Sequence, residues 1–262
     1  MPRLPLPDGL ELHWTERGTG PPVVIAHPCI SVPTAFSALG DELEPDHRVI
    51  VYDPRGTGDS THAGPYTIAT DAQDMAALLE ELGEPTVLVG FGDAIHRAVE
   101  ASALRPELVA AVVSPGVAAL GSGSDYDGVD DGLASSPAVV GALVQMFETD
   151  YRMGLRTVVE GGNPQFSPEA VQQRIDEVVA YSPPEATIGR LREWIRHDSR
   201  EAGRALGDRF WMLVFGGNLW FPAELEHTIR RDLPEARVEP VEDGAVSRPD
   251  LTAEIVRRIT RC

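Results

Sequence analysis

The chain has 262 residues, of which 41 are acidic and 22 basic, so its formal net charge at pH 7 is −19. A negative charge of this size repels phosphate backbones and anionic lipid surfaces, which excludes nucleic acids and membranes as expected partners. The only two cysteines, Cys29 and Cys262, are too few for a disulfide framework, and no apolar stretch at the start is typical of a signal peptide, so we expect a cytoplasmic protein.

Runs of valine, isoleucine and leucine predict the strands of a buried sheet. The predicted strands begin at Pro22, Arg48, Val87, Val109 and Phe210. Each run is apolar on both faces, which is typical of parallel strands that helices cover on both sides. Stretches with helical periodicity separate the runs, and this alternation predicts an α/β fold built from right-handed crossovers.

Helical signals accompany these strands. An apolar stripe with helical spacing predicts a helix packed on the sheet, formed by Met75, Leu78, Leu79 and Leu82. Thr70 and Gln73 have the spacing of a capping box, which predicts that this helix begins near Thr70. Two further helices are predicted over residues 222–233 and 249–259, each with a proline in its first turn.

A tight turn follows the predicted strand at Val87. Its sequence is Gly90-Phe91-Gly92-Asp93-Ala94, with small residues at both ends. The spacing is that of a nucleophile elbow, Gly-x-Ser-x-Gly, in which the central serine attacks the substrate. Gly92 occupies the central position, so the turn has the form of an elbow without a side chain to attack.

Together these segments resemble the α/β-hydrolase superfamily, over roughly residues 8–118 and 205–260. The resemblance implies a mostly parallel sheet of the eight-stranded type, flanked by helices and carrying a helical lid insertion. The core domain is then formed by residues 1–119 and 206–262. The lid is formed by residues 120–205, where strand patterns vanish and helices are predicted over 138–159, 168–181 and 187–206.

The resemblance also implies where the other members of a Ser-His-Asp triad belong. The acid follows the strand that ends at Gly216, where Asn218 or Leu219 stands. The histidine follows the last strand, where Val246 or a neighbour stands, and the last histidine of the chain is the earlier His227. All three triad positions are therefore predicted to be lost.

The resemblance further implies the residues around the pocket. The amides of Asp93 and Cys29 correspond to the donors of an oxyanion hole. His27 is interpreted as a structural hydrogen-bonding residue and Cys29 as an ordinary thiol. The predicted substrate-binding residues are Cys29, Phe91, Gly92, Asn218, Trp220 and Val246.

Asp93 and His96 are the candidate catalytic residues, each with an alternative. Asp93 is either a helix cap or an acid–base group, because burial in an apolar cavity favours the neutral carboxyl. His96 lies three residues after Asp93 and four before Glu100, so it can pair with either on one helix.

Three functions follow from these features. The first is a lyase, isomerase or cyclase of biosynthesis, acting on a hydrophobic small molecule without a covalent intermediate. The second is a catalytically inactive binding or interaction protein, and the third is an atypical hydrolase that uses Asp93 or Cys29. In each case we expect a monomer or homodimer with no cofactor and no metal.

Overall fold

The computed structural model describes residues 2–116, 120–121, 137–194, 196–215, 223–241 and 248–261. These residues form eight strands: β1 (Arg3–Pro5), β2 (Glu11–Arg17), β3 (Pro22–Ala26), β4 (Arg48–Tyr52), β5 (Thr86–Gly90), β6 (Val109–Pro115), β7 (Phe210–Phe215) and β8 (Arg237–Val241). They also form ten α-helices: α1 (Ser37–Leu43), α2 (Ile68–Leu82), α3 (Ala94–Leu104), α4 (Pro137–Thr149), α5 (Tyr151–Gly162), α6 (Pro168–Tyr181), α7 (Pro184–Trp194), α8 (Arg200–Leu206), α9 (Ala223–Asp232) and α10 (Pro249–Thr260).

The eight strands form one sheet in the order β1-β2-β4-β3-β5-β6-β7-β8. β1 and β2 pair antiparallel with each other, and β2 pairs antiparallel with β4. The pairs from β4 to β8 are parallel. The predicted mostly parallel sheet is therefore confirmed.

Alternate residues of the central strands face two different apolar layers. In β3, Val24 and Ala26 pack with residues of α2, α3 and α8. Val23 and Ile25 of the same strand pack with α1 and α10 on the opposite face. Side chains of a strand point alternately to its two faces, so a strand between two helical layers must be apolar throughout, as the sequence of β3 is.

The start of α2 differs from the prediction. The helix begins at Ile68, and the side chain of Thr67 accepts a hydrogen bond from the Thr70 amide. Thr67 is therefore the N-cap, and the predicted capping box of Thr70 and Gln73 is wrong because both residues already lie inside the helix. The predicted stripe is correct, since Met75, Leu78, Leu79 and Leu82 are all buried.

The described residues between β6 and β7 form the five helices α4 to α8. The helix predicted over 138–159 is two helices, because Asp150 caps α5 by accepting a hydrogen bond from the Met153 amide. The helix predicted over 187–206 is likewise divided into α7 and α8. An apolar cluster joins α4 to α7 with the loop after β3, where Cys29 and Val32 belong to it. The lid boundaries at residues 120 and 205 stay a prediction.

Candidate functional site

The turn between β5 and α3 has the geometry of an elbow. Gly90 ends β5, and a Cβ atom there would lie 2.9 Å from the Ile95 Cα, so only glycine allows α3 to pack this closely on the strand. Gly92 has φ +55°, in the left-handed region where glycine is not strained. A Cβ on Gly92 would contact only the ring of Pro28 within 4 Å. The nearest of these ring atoms, the Pro28 Cβ, would be 3.3 Å away, so a side chain at position 92 would press against Pro28.

A cavity of about 390 Å³ lies beside Gly92. The loop after β3, the elbow, the end of α5, the middle of α6 and the start of α10 contribute to its wall. Most of the wall is apolar, which suits a small organic ligand. The lining residues are Pro28, Ile30, Ser31, Ala35, Phe36, Ala38, Leu39, Phe91, Gly92, Pro115, Val158, Val159, Gly162, Asn163, Phe166, Arg174 and Pro249.

Asp93 is buried behind this wall and does not line the cavity. It makes no side-chain cap to α3. Its Oδ1 instead accepts a hydrogen bond of 2.9 Å from the Cys29 amide, so the carboxyl occupies a donor that the resemblance assigned to the oxyanion hole. Burial raises the pKa of the Asp93 carboxyl, against the opposing effects of Arg97 and the Cys29 amide.

Cys29 is also buried outside the cavity wall. Burial raises the pKa of its thiol well above the ordinary value, and the nearby Asp93 carboxyl raises it further. The thiol therefore stays protonated at neutral pH, which disfavours attack by sulfur. Of the predicted substrate-binding residues, the structure brings Phe91 and Gly92 to the cavity but not Cys29.

His96 is buried near the start of α8 and does not line the cavity. The His96 Nδ1 lies 3.0 Å from the hydroxyl of Ser199, just before α8. The nearby Glu100 bonds to His197 at 2.9 Å. The structure thus gives His96 a partner that neither predicted pairing included, and the catalytic roles of Asp93 and His96 stay predictions. Asn218, Trp220 and Val246 lie outside the described residues, as do the acid and histidine positions of the predicted triad.

A cluster of buried charged side chains, not predicted from the sequence, lies beside Asp93. Arg97 lies 3.7 Å from Asp71 and 3.9 Å from Asp93. It also donates to the carbonyl of His27. Arg190 of α7 binds both carboxylate oxygens of Asp71 in α2, at 2.6 and 2.9 Å. The one signal in the sequence was the position of Asp71, which lies four residues before Met75 and seven before Leu78 and so continues the apolar stripe of α2.

A second polar chain runs from His27 to the edge of the sheet. Tyr181 of α6 lies 3.0 Å from the His27 Nε2 and donates a 2.7 Å hydrogen bond to Asp53. The other oxygen of Asp53 lies 2.7 Å from the His13 Nδ1. Burial, together with Arg97, lowers the pKa of His27 to about 4, so its imidazole is neutral at pH 7.

Among the described residues, His13, Asp53 and Asp59 form the group whose side chains are close enough to share a metal ion. Both oxygens of Asp53 already accept hydrogen bonds, from Tyr181 and from the Asp59 amide, and His13 lies against the second oxygen. These bonds give the group a structural role in joining the ends of β2 and β4 to α6. None of the described helices is long and apolar enough to cross a bilayer.

Comparison with solved structures identifies the architecture. An esterase from Exiguobacterium antarcticum superposes with a TM-score of 0.83 over 98% of both chains, at 20% sequence identity. An enol-lactonase from Burkholderia xenovorans LB400 superposes with a TM-score of 0.73 over 100% of both chains, at 19% identity. The chain has the α/β-hydrolase fold. The resemblance expected from the sequence is confirmed.

Comparison with curated sequences gives a partial match. The lipase LipV of Mycobacterium tuberculosis is 33% identical over 133 residues, which are 49% of this chain and 50% of the lipase. The aligned part therefore spans about half the length of that relative. No family model matches the sequence.

These comparisons correct the predicted chemistry. The expected lyase, isomerase or cyclase activity is contradicted, because the similar proteins are a lipase, an esterase and an enol-lactonase. The physical reason for the error lies in the weight placed on Gly92. A missing nucleophile excludes an acyl intermediate at that position, but it does not exclude hydrolysis.

Proposed function

We propose that the protein is a hydrolase of a small, largely apolar ester or lactone. The observation that carries the proposal is the 390 Å³ cavity that opens directly on Gly92, at the centre of the elbow. The partial similarity to a lipase supports hydrolysis as the reaction. A cytoplasmic location fits the negative charge and the two cysteines of the chain.

The missing side chain at the centre of the elbow determines the expected mechanism of hydrolysis. Gly92 has no side chain, so the acyl group of the substrate cannot be transferred to this residue as the alcohol leaves. Water then attacks the carbonyl directly, and the reaction proceeds in one chemical stage rather than through an acyl-enzyme. Such a reaction shows no burst of the first product, unlike one that accumulates a covalent intermediate.

The test combines a substrate panel with a blocked cavity. We expect steady turnover, without a burst, of 4-nitrophenyl acetate, butyrate or octanoate, or of a five- or six-membered lactone. Gly162 lines the cavity, and an added side chain there meets no atom within 4 Å of its Cβ. Gly162→Phe therefore fills the cavity, and kcat/KM should fall at least tenfold.

Gly141 provides the matched control. It also lies within a helix, α4, and has open space around an added Cβ, but it does not line the cavity. Gly141→Phe should leave kcat/KM within twofold. If the wild-type protein hydrolyses none of the panel yet is stabilised by the same apolar molecules, it is a binding protein and the proposal is wrong. Equal losses in both variants would place hydrolysis outside this cavity.

A further inference from the structure

The described part of the cavity wall contains one charged side chain. Arg174 of α6 is the charged member of the described lining residues, and its side chain is 25% exposed. Its described partner is Glu177 on the same helix, with the Nε atom 3.2 Å from the Glu177 Oε2. A guanidinium carries five N–H donors in a planar fork. One contact at Nε leaves most of these donors without a protein acceptor in the part of the chain that the structure describes.

Two neutral polar side chains share this cavity with Arg174. Asn163 follows α5, and its Nδ2 donates 2.9 Å to the Val159 carbonyl, which fixes the amide beside the wall. Ser31 contributes a hydroxyl from the loop after β3. No carboxylate belongs to the described wall. Within the described wall the charge is therefore that of Arg174, although the whole chain carries −19.

We infer that the cavity binds substrates carrying a carboxylate, and that Arg174 is the residue that selects them. An apolar wall with a single guanidinium suits a ligand that has an apolar body and one anionic end. Arginine binds a carboxylate through two parallel hydrogen bonds, which are shorter and stronger than neutral ones. The reacting carbonyl of such a ligand then lies toward Gly92. The inference names the substrate class of the proposed hydrolase and in that respect rests on it.

A pair of esters that differ only in the terminal group tests the inference. The two substrates are the mono-4-nitrophenyl ester of glutaric acid and 4-nitrophenyl pentanoate, whose acyl chains have equal length. The wild-type protein should prefer the glutarate ester by roughly tenfold or more in kcat/KM. Arg174→Gln, which keeps most of the side-chain length without the charge, should abolish that preference, through a loss of kcat/KM on the glutarate ester that exceeds any change on the pentanoate.

Two further variants separate local recognition from overall charge. Arg152 is an exposed arginine of the preceding helix α5, paired with Asp176 at 2.6 Å and absent from the wall. Arg152→Gln removes the same charge from the protein and should leave the preference unchanged. Glu177→Gln removes the negative charge beside Arg174 and should increase the preference for the glutarate ester about two- to fivefold.

A binding measurement keeps the inference independent of turnover. Hexanoate should bind more tightly than hexanamide by isothermal calorimetry, and Arg174→Gln should remove the difference. If hexanoate binding depends on Arg174 but no ester is hydrolysed, the inference stands and the proposed function fails. If both esters are hydrolysed equally and Arg174→Gln changes neither, the inference fails and the proposed function stands. If Arg152→Gln matches Arg174→Gln, the overall charge explains the preference and the inference is wrong.

Discussion

The cavity and the buried charge cluster lie beside the same loop but differ in composition. The cavity wall is built from apolar residues with Ser31, Asn163 and Arg174 as its polar members. The cluster contains Arg97, Arg190, Asp71 and Asp93, all buried. The charged groups of the cluster are therefore buried in the interior, whereas the described cavity wall offers apolar surface and one guanidinium. Buried charge here joins helices, and it does not by itself mark the reacting centre.

The largest expected effect on the free energy of unfolding comes from removing one charged member of the cluster. Asp71→Asn leaves Arg190 and Arg97 with an uncompensated charge, and the expected loss is about 3–5 kcal/mol in the free energy of unfolding. Urea denaturation followed by circular dichroism measures it. The control is Asp176→Asn, which breaks the exposed pair with Arg152 and should cost at most about 1 kcal/mol. Equal effects would show that burial does not strengthen the cluster.

The second-largest expected effect is a pH dependence of stability that arises because the buried His27 is neutral. The unfolded chain takes up a proton near pH 6.5, whereas folded His27 stays neutral until about pH 4. Stability should therefore fall as the pH decreases from 6.5 to 4, by about 3 kcal/mol, and no further below that.

The measurement compares urea unfolding of the wild type and His27→Gln across this pH range. The difference between the two should shrink as the pH falls, because the variant lacks the group that protonates on unfolding. The buried Asp93 acts with the opposite sign in both proteins, since its raised pKa favours the folded state at low pH. A constant difference between the two proteins would mean that His27 titrates normally.

Substitutions of Gly92 and Gly83 separate an effect on the cavity from an effect on stability. Both have positive φ, +55° at the elbow and +70° at the end of α2. Gly92→Ala and Gly83→Ala should each cost about 1–2 kcal/mol in unfolding free energy because alanine is strained in this region. Only Gly92→Ala should also alter kcat/KM, since Gly92 lines the cavity. A loss of hydrolysis in Gly83→Ala equal to that in Gly92→Ala would attribute the effect to stability alone.

The smallest effect tests the corrected start of α2. Thr67→Ala removes the N-cap and should lower the unfolding free energy by about 1 kcal/mol. Thr70→Ala, inside the helix, should cost less, although its hydroxyl lies 2.7 Å from that of Thr67. Thermal unfolding of both variants measures the difference. A larger loss at Thr70 would restore the capping box that the sequence predicted.

The sequence predicts well what depends on neighbouring residues. The strands from Pro22 and Val87 follow from uninterrupted apolar runs, and the elbow follows from the spacing of Gly90 and Gly92. Both glycines have the conformation or close contact that the motif requires. These features are encoded over a few residues, so a single sequence is enough to find them.

The side-chain partners of the site depend on distant packing and were missed. The sequence did not indicate the contact of His96 with Ser199, which lies 103 residues further along. Arg190 meets Asp71 across 119 residues, and Tyr181 meets Asp53 across 128. Arg174 reaches the cavity only because α6 folds back over the elbow. Helical periodicity says which face of α6 is apolar, but not what that face covers.

Hydrogen bonds hold parts of α6 and α7 in place, and this bears on how molecules enter and leave the cavity. The end of α6 is held by Tyr181 and α7 by Arg190, through hydrogen bonds to Asp53 after β4 and to Asp71 in α2. The cavity is instead bordered by Gly162 at the end of α5 and by Asn163 and Phe166 in the short connection to α6. We therefore expect exchange of ligand with solvent to depend on motion at this connection rather than at α7. A covalent cross-link between α7 and α2 would leave the rates of ligand entry and exit unchanged.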